Sequence, residues 1–222
     1  MEFERILIFL NQIAANNTRE WMEANKKSYH EARDTFVGIT KSLIEEISAF
    51  DEGLQGVDPK KSIFRLNRDV RFSKNKAPYK TNFGAFMMEG GKKAGNAGYY
   101  LHLQPGNESF IAGGVYMPEA DKLAKIRQEI DYNGSELKKI VSQSVFEKTF
   151  GQIQGDKLKR APKGYPLDHP NIELLKLKSY LALHKVDDKT VLDKDFLNYI
   201  IDVFKKMAPF NYFLNVALSD ID

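Results

Sequence analysis

The spacing of apolar residues changes period twice along this chain of 222 residues, and that change constrains the fold more than any other feature. In the first stretch, Phe3, Ile6, Leu7, Leu10 and Ile13 recur at helical intervals, predicting an amphipathic helix over 3–14. Asn16-Asn17 interrupts it. Asn17 with Glu20 three residues on reads as a capping box that opens a longer helix, from Thr18 to about Phe50, bent near Gly38. From residue 64 the period falls to two. Phe64, Leu66, Val70 and Phe72 alternate with Arg65, Asn67, Asp69 and Arg71, the pattern of a strand. Further strands are expected at 83–88, 99–104 and 109–116, the last two joined by a Pro105-Gly106-Asn107 hairpin. The helical period returns at 118–132, 135–142, 171–183 and 193–207, with Pro209 in the first turn of a final helix. Residues 151–171, which hold Pro162, Gly164, Pro166 and Pro170, read as irregular. Helices, then short-connected strands, then helices predict an α+β fold. The expected architecture is a central antiparallel sheet of about four or more strands, packed with N- and C-terminal helices. One domain over 1–222 accounts for it: helices in 3–50, sheet and basic segment in 60–117, helices in 118–220.

Apolar residues make up 42% of the chain, enough to fill a core and to exclude wholesale disorder. Cysteine is absent, which removes disulfides, thiolate nucleophiles and cysteine-ligated metal from consideration. The apolar run from Ile6 to Leu10 is too short for a secretory signal, and no stretch approaches the ~18 apolar residues of a membrane span. A cytoplasmic protein without membrane contact is the expectation.

Charge is unevenly distributed. Between residues 60 and 80 stand eight basic side chains and a single acid, Asp69. Like charge at that density calls for solvent, acidic partners or an anionic ligand. On the expected strand, Arg65, Asn67, Asp69 and Arg71 share one face. Arg68 falls on the apolar face, where it is expected to be buried and paired with a carboxylate or backbone carbonyls. Several guanidinium forks in one place suit bidentate recognition of phosphate or carboxylate, with Lys76, Tyr79 and Lys80 adding donors.

The stretch from Arg65 to Tyr79 fits the pattern RxxRDxRFxx[D/N]KxxY at every fixed position. In this, and in Asn16-Asn17-x-Arg19-Glu20-Trp21, Gly113-Gly114-x-Tyr116-Met117-Pro118 and Arg160-Ala-Pro162-Lys163-Gly164-Tyr165, the chain resembles a family of bacterial conserved hypothetical proteins, domain of unknown function 2461. The resemblance spans the whole chain. It implies kinship and a shared fold; the family carries no assigned activity.

Three readings of the basic segment stand side by side. The first is a pocket for a phosphate- or carboxylate-bearing small molecule, lined by Arg65, Arg68, Arg71, Lys76, Tyr79 and Lys80, with an enzymatic role left open. The second is a nucleic-acid-binding surface, and the third a structural ion-pair network. Asp69 is a weak candidate for a general base, since neighbouring arginines keep it ionised. His102 alternates with Tyr100 and Gln104 opposite Leu101 and Leu103, which puts it on a polar strand face as a second weak candidate for proton transfer. Arg19, Trp21, Arg160, Lys163 and His169 are candidates for a pocket wall, although Trp21 reads more readily as a core anchor. None of the four histidines has the HxH, HxxxH or HExxH spacing, and neither GxxxxGK[S/T] nor GxGxxG occurs. No metal and no cofactor are expected.

Overall fold

A computed structural model describes residues 2–219; the last residue of the expected C-terminal helical region, 220, lies outside the described residues. The chain begins with α1 (Glu2–Ala15), α2 (Arg19–Ala24) and α3 (Lys26–Ile47). A short α4 (Pro59–Ser62) and an irregular segment lead to β1 (Phe83–Met87), β2 (Gly98–Leu103) and β3 (Ser109–Val115). Then come α5 (Ala120–Val141), α6 (Ser144–Phe150), α7 (Ile172–Leu175), β4 (Tyr180–Val186), α8 (Asp188–Val191) and α9 (Phe196–Leu218). The sheet is antiparallel with strand order β1-β2-β3-β4, so the fold is α+β. No helix of the described residues is long and apolar enough to cross a membrane.

Several elements differ from the expected ones, each for an identifiable reason. The second helix starts one residue later, because the Thr18 hydroxyl and not Asn17 accepts the amide of Trp21. Asn17 is engaged elsewhere. Its side chain donates to the Tyr79 carbonyl (3.0 Å) and accepts the Tyr79 amide (3.1 Å). The expected long helix is broken at Asn25, whose backbone leaves the helical region between α2 and α3. Residues 64–72 are not a strand. Their apolar alternation does not mark a buried face, since Phe64 is 41% and Phe72 96% exposed. The backbone there forms only isolated bridges, Ile63 to Ala85 and Asn67 to Tyr79. The helix expected over 171–183 gives way at its end to the fourth strand, 180–186; Leu181 and Leu183 on the outward side make that stretch apolar on both faces and hide the period of two. The two helices expected over 118–142 run on as α5, but the backbone leaves the helical region at Asn133 (φ −123°, ψ 23°), where the break between them was expected. Pro209 sits inside α9 and does not begin a new helix.

The sheet has two unlike faces. Phe83, Ala85, Tyr99, Leu101, Ile111 and Ala182 point inward and are buried. Helices cover them: Phe36 of α3 stacks on Phe83 at 5.4 Å, and Phe204 of α9 meets Tyr99 edge-on at 5.2 Å. Gly113 leaves space for Met207 of α9, and Gly114, at φ 106°, lets the Tyr180 carbonyl of β4 come close. The tight backbone packing there belongs to the core and leaves no room for a ligand. Outward lie Gly84, Phe86, Tyr100, His102, Phe110 and Ala112, whose cross-strand registers place them in two adjoining rows. Their ring contacts are with one another and with Phe64; none is with a helix.

Candidate functional site

The basic segment divides into two parts with different partners. In the first, residues 66–68 and 78–80 run antiparallel: Arg68 donates its amide to the Pro78 carbonyl (2.9 Å) and Lys80 to that of Leu66 (2.8 Å). Residues 69–77 form the loop between them. Arg68, half-buried, donates from Nη1 to the Ala77 carbonyl (3.0 Å) and from Nη2 to the Ser73 hydroxyl (3.3 Å). Lys76 donates to the Val70 carbonyl (3.1 Å), and Asn75 Oδ1 accepts the Ala77 amide (2.9 Å). Arg71, exposed, grips Asp69 in a bidentate pair at 3.0 and 2.7 Å. That pair holds the Asp69 carboxyl below its ordinary value, through the Arg71 side chain first, its amide second, and the nearby charge of Arg65. Arg68, Arg71 and Lys76 thus each end on an acceptor of this segment, whereas Lys74 is exposed and makes no such bond. Arg68 was expected to be largely buried beside a carboxylate or carbonyls; it is half-buried, and its partners are a carbonyl and a hydroxyl. Tyr79, fixed by Asn17, packs half-buried against the core.

The second part lies on the outer sheet face. Phe64 is held at the free edge of β1 because its amide donates to the Gly84 carbonyl (2.8 Å), and its ring meets Tyr100 edge-on at 6.1 Å. Two ammonium groups flank that ring, Lys92 at 4.5 Å and Lys80 at 5.6 Å from its centre. Lys92 comes from the glycine-rich β1–β2 connection and donates to the Ile63 carbonyl (2.5 Å). Burial first, then the charge of Arg65, lowers the pKa of Lys80; burial, then Lys80, lowers that of Lys92. No carboxylate of the described residues lies within ion-pair distance of Arg65, Lys80 or Lys92. The cluster therefore carries like charge with no direct ion pair, and Asp69, already paired with Arg71, acts on Arg65 only from a distance.

Beside it runs a polar chain. His102 Nε2 points at Gln104 Oε1 (3.2 Å), which as an acceptor assigns the proton to Nε2. Nδ1 is then the acceptor for the Tyr100 hydroxyl (3.1 Å) and the Asn82 amide (3.4 Å). Burial favours the neutral imidazole and so lowers the His102 pKa, with Lys80 acting in the same direction and Gln104 and Glu108 against it. Burial pushes the Tyr100 hydroxyl up to about 12. Gly84 makes this geometry available, for a Cβ there would stand 2.5 Å from the Tyr100 oxygen.

Of the residues singled out from the sequence, Lys80 lies within electrostatic reach of both Arg65 and His102, and Arg65 also acts on Asp69; Arg68, Arg71, Lys76 and Asp69 belong to the neighbouring loop. The proposed wall does not converge on either. Arg19 is exposed at the start of α2, and Trp21 lies half-buried against Phe9 with ring centres 6.3 Å apart. Arg160 and Lys163 are exposed, in the segment that packs through His169 onto α5. His169 donates from Nε2 to Asp131 (2.9 Å) and accepts the Asn171 amide at Nδ1 (3.0 Å), so both its nitrogens are used structurally. Phe64, Asn82, Lys92, Tyr100 and Phe110 were missed. Continuing the Tyr100–His102 alternation across the hairpin to Phe110 was the available signal. Lys92 carried none, since it lies beyond the basic run.

The described residues contain no group of three or more His, Asp or Glu side chains placed to hold a metal ion. Two clefts lie elsewhere, one of about 980 Å³ beside Lys138, Glu147 and Lys157, and one of about 470 Å³ beside Lys41 and Val57. The first mixes lysines with Glu147 and Glu173 and has no uniform sign of charge.

No curated protein and no solved structure matches the chain significantly. Residues 5–213 match the family model described as conserved hypothetical protein (DUF2461), and the chain belongs to that family.

Proposed function

We propose that the outer sheet face binds a phosphate-bearing ligand through Lys80 and Lys92, with Arg65 at its rim. The observation that carries the reading is the convergence of these cations around Phe64 with no ion-paired carboxylate. Desolvation and mutual repulsion both disfavour such an arrangement in the free protein. An anion offsets the repulsion and gives Lys80 an acceptor, so the protein is stabilised increasingly, with the logarithm of ligand concentration above Kd. The loop of Arg68 and Arg71 supports the site from behind without donating to the ligand.

Calorimetric titration with inorganic phosphate and pyrophosphate at fixed ionic strength tests this. Wild type is expected to bind, with a melting temperature that rises with ligand; at a hundredfold excess over Kd, linkage gives about 2.7 kcal/mol. Lys80→Met with Lys92→Met is expected to abolish binding, and Arg71→Ala to retain it. Equal binding by wild type and the double lysine variant would overturn the reading.

A further inference from the structure

We infer that the phosphate belongs to a single-stranded nucleic acid whose bases lie on the ring-covered outer face of the sheet; this rests on the phosphate reading above. A solvent-facing side of an antiparallel sheet ordinarily carries polar side chains. Here it carries Phe86, Tyr100, His102 and Phe110, with Phe64 added at the edge. His102 and Phe110, directly opposite across β2 and β3, stack at 4.4 Å with their planes 14° apart. Tyr100 joins them to Phe64 and Phe86 through contacts of 5.6 to 6.3 Å. None of these rings is fully buried, and Phe64 is 41% exposed. Aromatic surface left partly open to water is a stacking platform for flat bases, tolerant of sequence because every base has a π face.

Charge complementarity chooses the occupant. Two ammonium groups lie within 4.5 and 5.6 Å of the Phe64 ring centre, so a base on the neighbouring rings carries its phosphate towards Lys80 or Lys92. On the opposite side Lys185, exposed on β4, is the cross-strand partner of Phe110. Basic side chains thus border the rings at both β1 and β4, three strand spacings or about 14 Å apart. That span exceeds what one phosphate needs. The face is also open, whereas a free mononucleotide is better held in an enclosed cleft. Asn82 and Gln104 put amide groups at the margin of the rings, where base edges fall. An acidic peptide would satisfy the lysines but leave the rings unused.

Fluorescence anisotropy with a labelled single-stranded oligothymidine separates the alternatives, with thymidine monophosphate and inorganic polyphosphate as competitors. The oligonucleotide is expected to bind at least about tenfold tighter than polyphosphate of matched charge. Its affinity should fall by about 2 log units per log unit of salt, as contacts from Arg65, Lys80 and Lys92 require. Phe86→Leu and Phe110→Leu are expected to weaken the oligonucleotide about tenfold each while inorganic phosphate binding stays as in wild type. Phe86→Leu serves if Phe110→Leu fails to fold. Equal affinity for oligonucleotide and polyphosphate, or no effect of the folded ring variant, would overturn the inference and leave the phosphate reading standing. Monophosphate competing as well as the oligonucleotide would replace the strand with a small nucleotide. Loss of binding to every phosphate compound would instead remove the reading beneath it.

Discussion

Two stretches of one basic segment, a few residues apart, have opposite electrostatic arrangements. In the loop of residues 69–77, Arg68, Arg71 and Lys76 each end on an acceptor from the same loop: a carbonyl and a hydroxyl, a carboxylate, and a carbonyl. At the sheet edge, Lys80 and Lys92 crowd one phenyl ring with Arg65 nearby and no carboxylate at ion-pair distance. Charge density alone does not distinguish them. What does is whether acceptors are supplied from within, because a donor already satisfied by the backbone has little to gain from a ligand. On the proposal above the loop is structural and the edge cluster is the site, because the Arg65 and Lys80 side chains end on no acceptor among the described residues, although Lys92 already reaches the Ile63 carbonyl.

The largest expected effect is on the satisfied side. Arg68→Ala removes both staples of the loop and leaves the half-buried Ala77 carbonyl without that partner. It should lower stability by about 1–3 kcal/mol, read as a lower denaturant midpoint at unchanged slope. An unchanged midpoint would break the comparison, since Arg68 would then not hold the loop. Phosphate binding should survive in this variant wherever it folds.

Lys80→Met should act with the opposite sign. In phosphate-free buffer its melting temperature should exceed that of wild type, because a desolvated charge facing Arg65 and Lys92 is gone. The folded pKa of Lys80 lies below its ordinary 10.5, so the unfolded chain holds the extra proton between the two values. The penalty is fully present at neutral pH and lifts as the pH rises from the folded value to 10.5. The gap between variant and wild type should therefore close on the alkaline side. A variant several degrees less stable than wild type would place Lys80 among the structural groups.

Arg71→Ala should do least. The guanidinium and its Asp69 partner are both exposed, and exposed pairs contribute little. Denaturant midpoint and phosphate affinity should both match wild type within error. A clear loss of phosphate binding would move the site to the loop and reverse the assignment of the two regions.

The broad outline was legible in the sequence because periodicity reports burial. Helices flank a sheet, and three of the four strands fall where alternation and the Pro105-Gly106-Asn107 turn put them. Tyr180–Val186 was not legible as a strand, since Leu181 and Leu183 face outward beside Tyr180 and Ala182 inward. Residues 64–72 misled in the other direction. Their alternation arises from an irregular loop that leaves Phe72 almost wholly in solvent. At the site, the basic segment was visible but its division was not. Which cation is satisfied depends on the carbonyls of Val70 and Ala77, and the direction of a backbone carbonyl is not written in side-chain identity. Lys92 reaches Phe64 only through the path of the β1–β2 connection.

The central claim is that an anion sits at the outer-face cluster and not in the arginine loop. The ring protons of His102, followed by nuclear magnetic resonance across a pH titration, report on this most directly. Burial chiefly, with a smaller contribution from the charge of Lys80, keeps this imidazole below its ordinary value in the free protein. Phosphate bound beside Lys80 offsets that positive charge, so the titration midpoint of His102 should move upward as phosphate is added, and should stay put in Lys80→Met. A midpoint unmoved by saturating phosphate, with the amide signals of residues 69–77 shifting instead, would contradict the account.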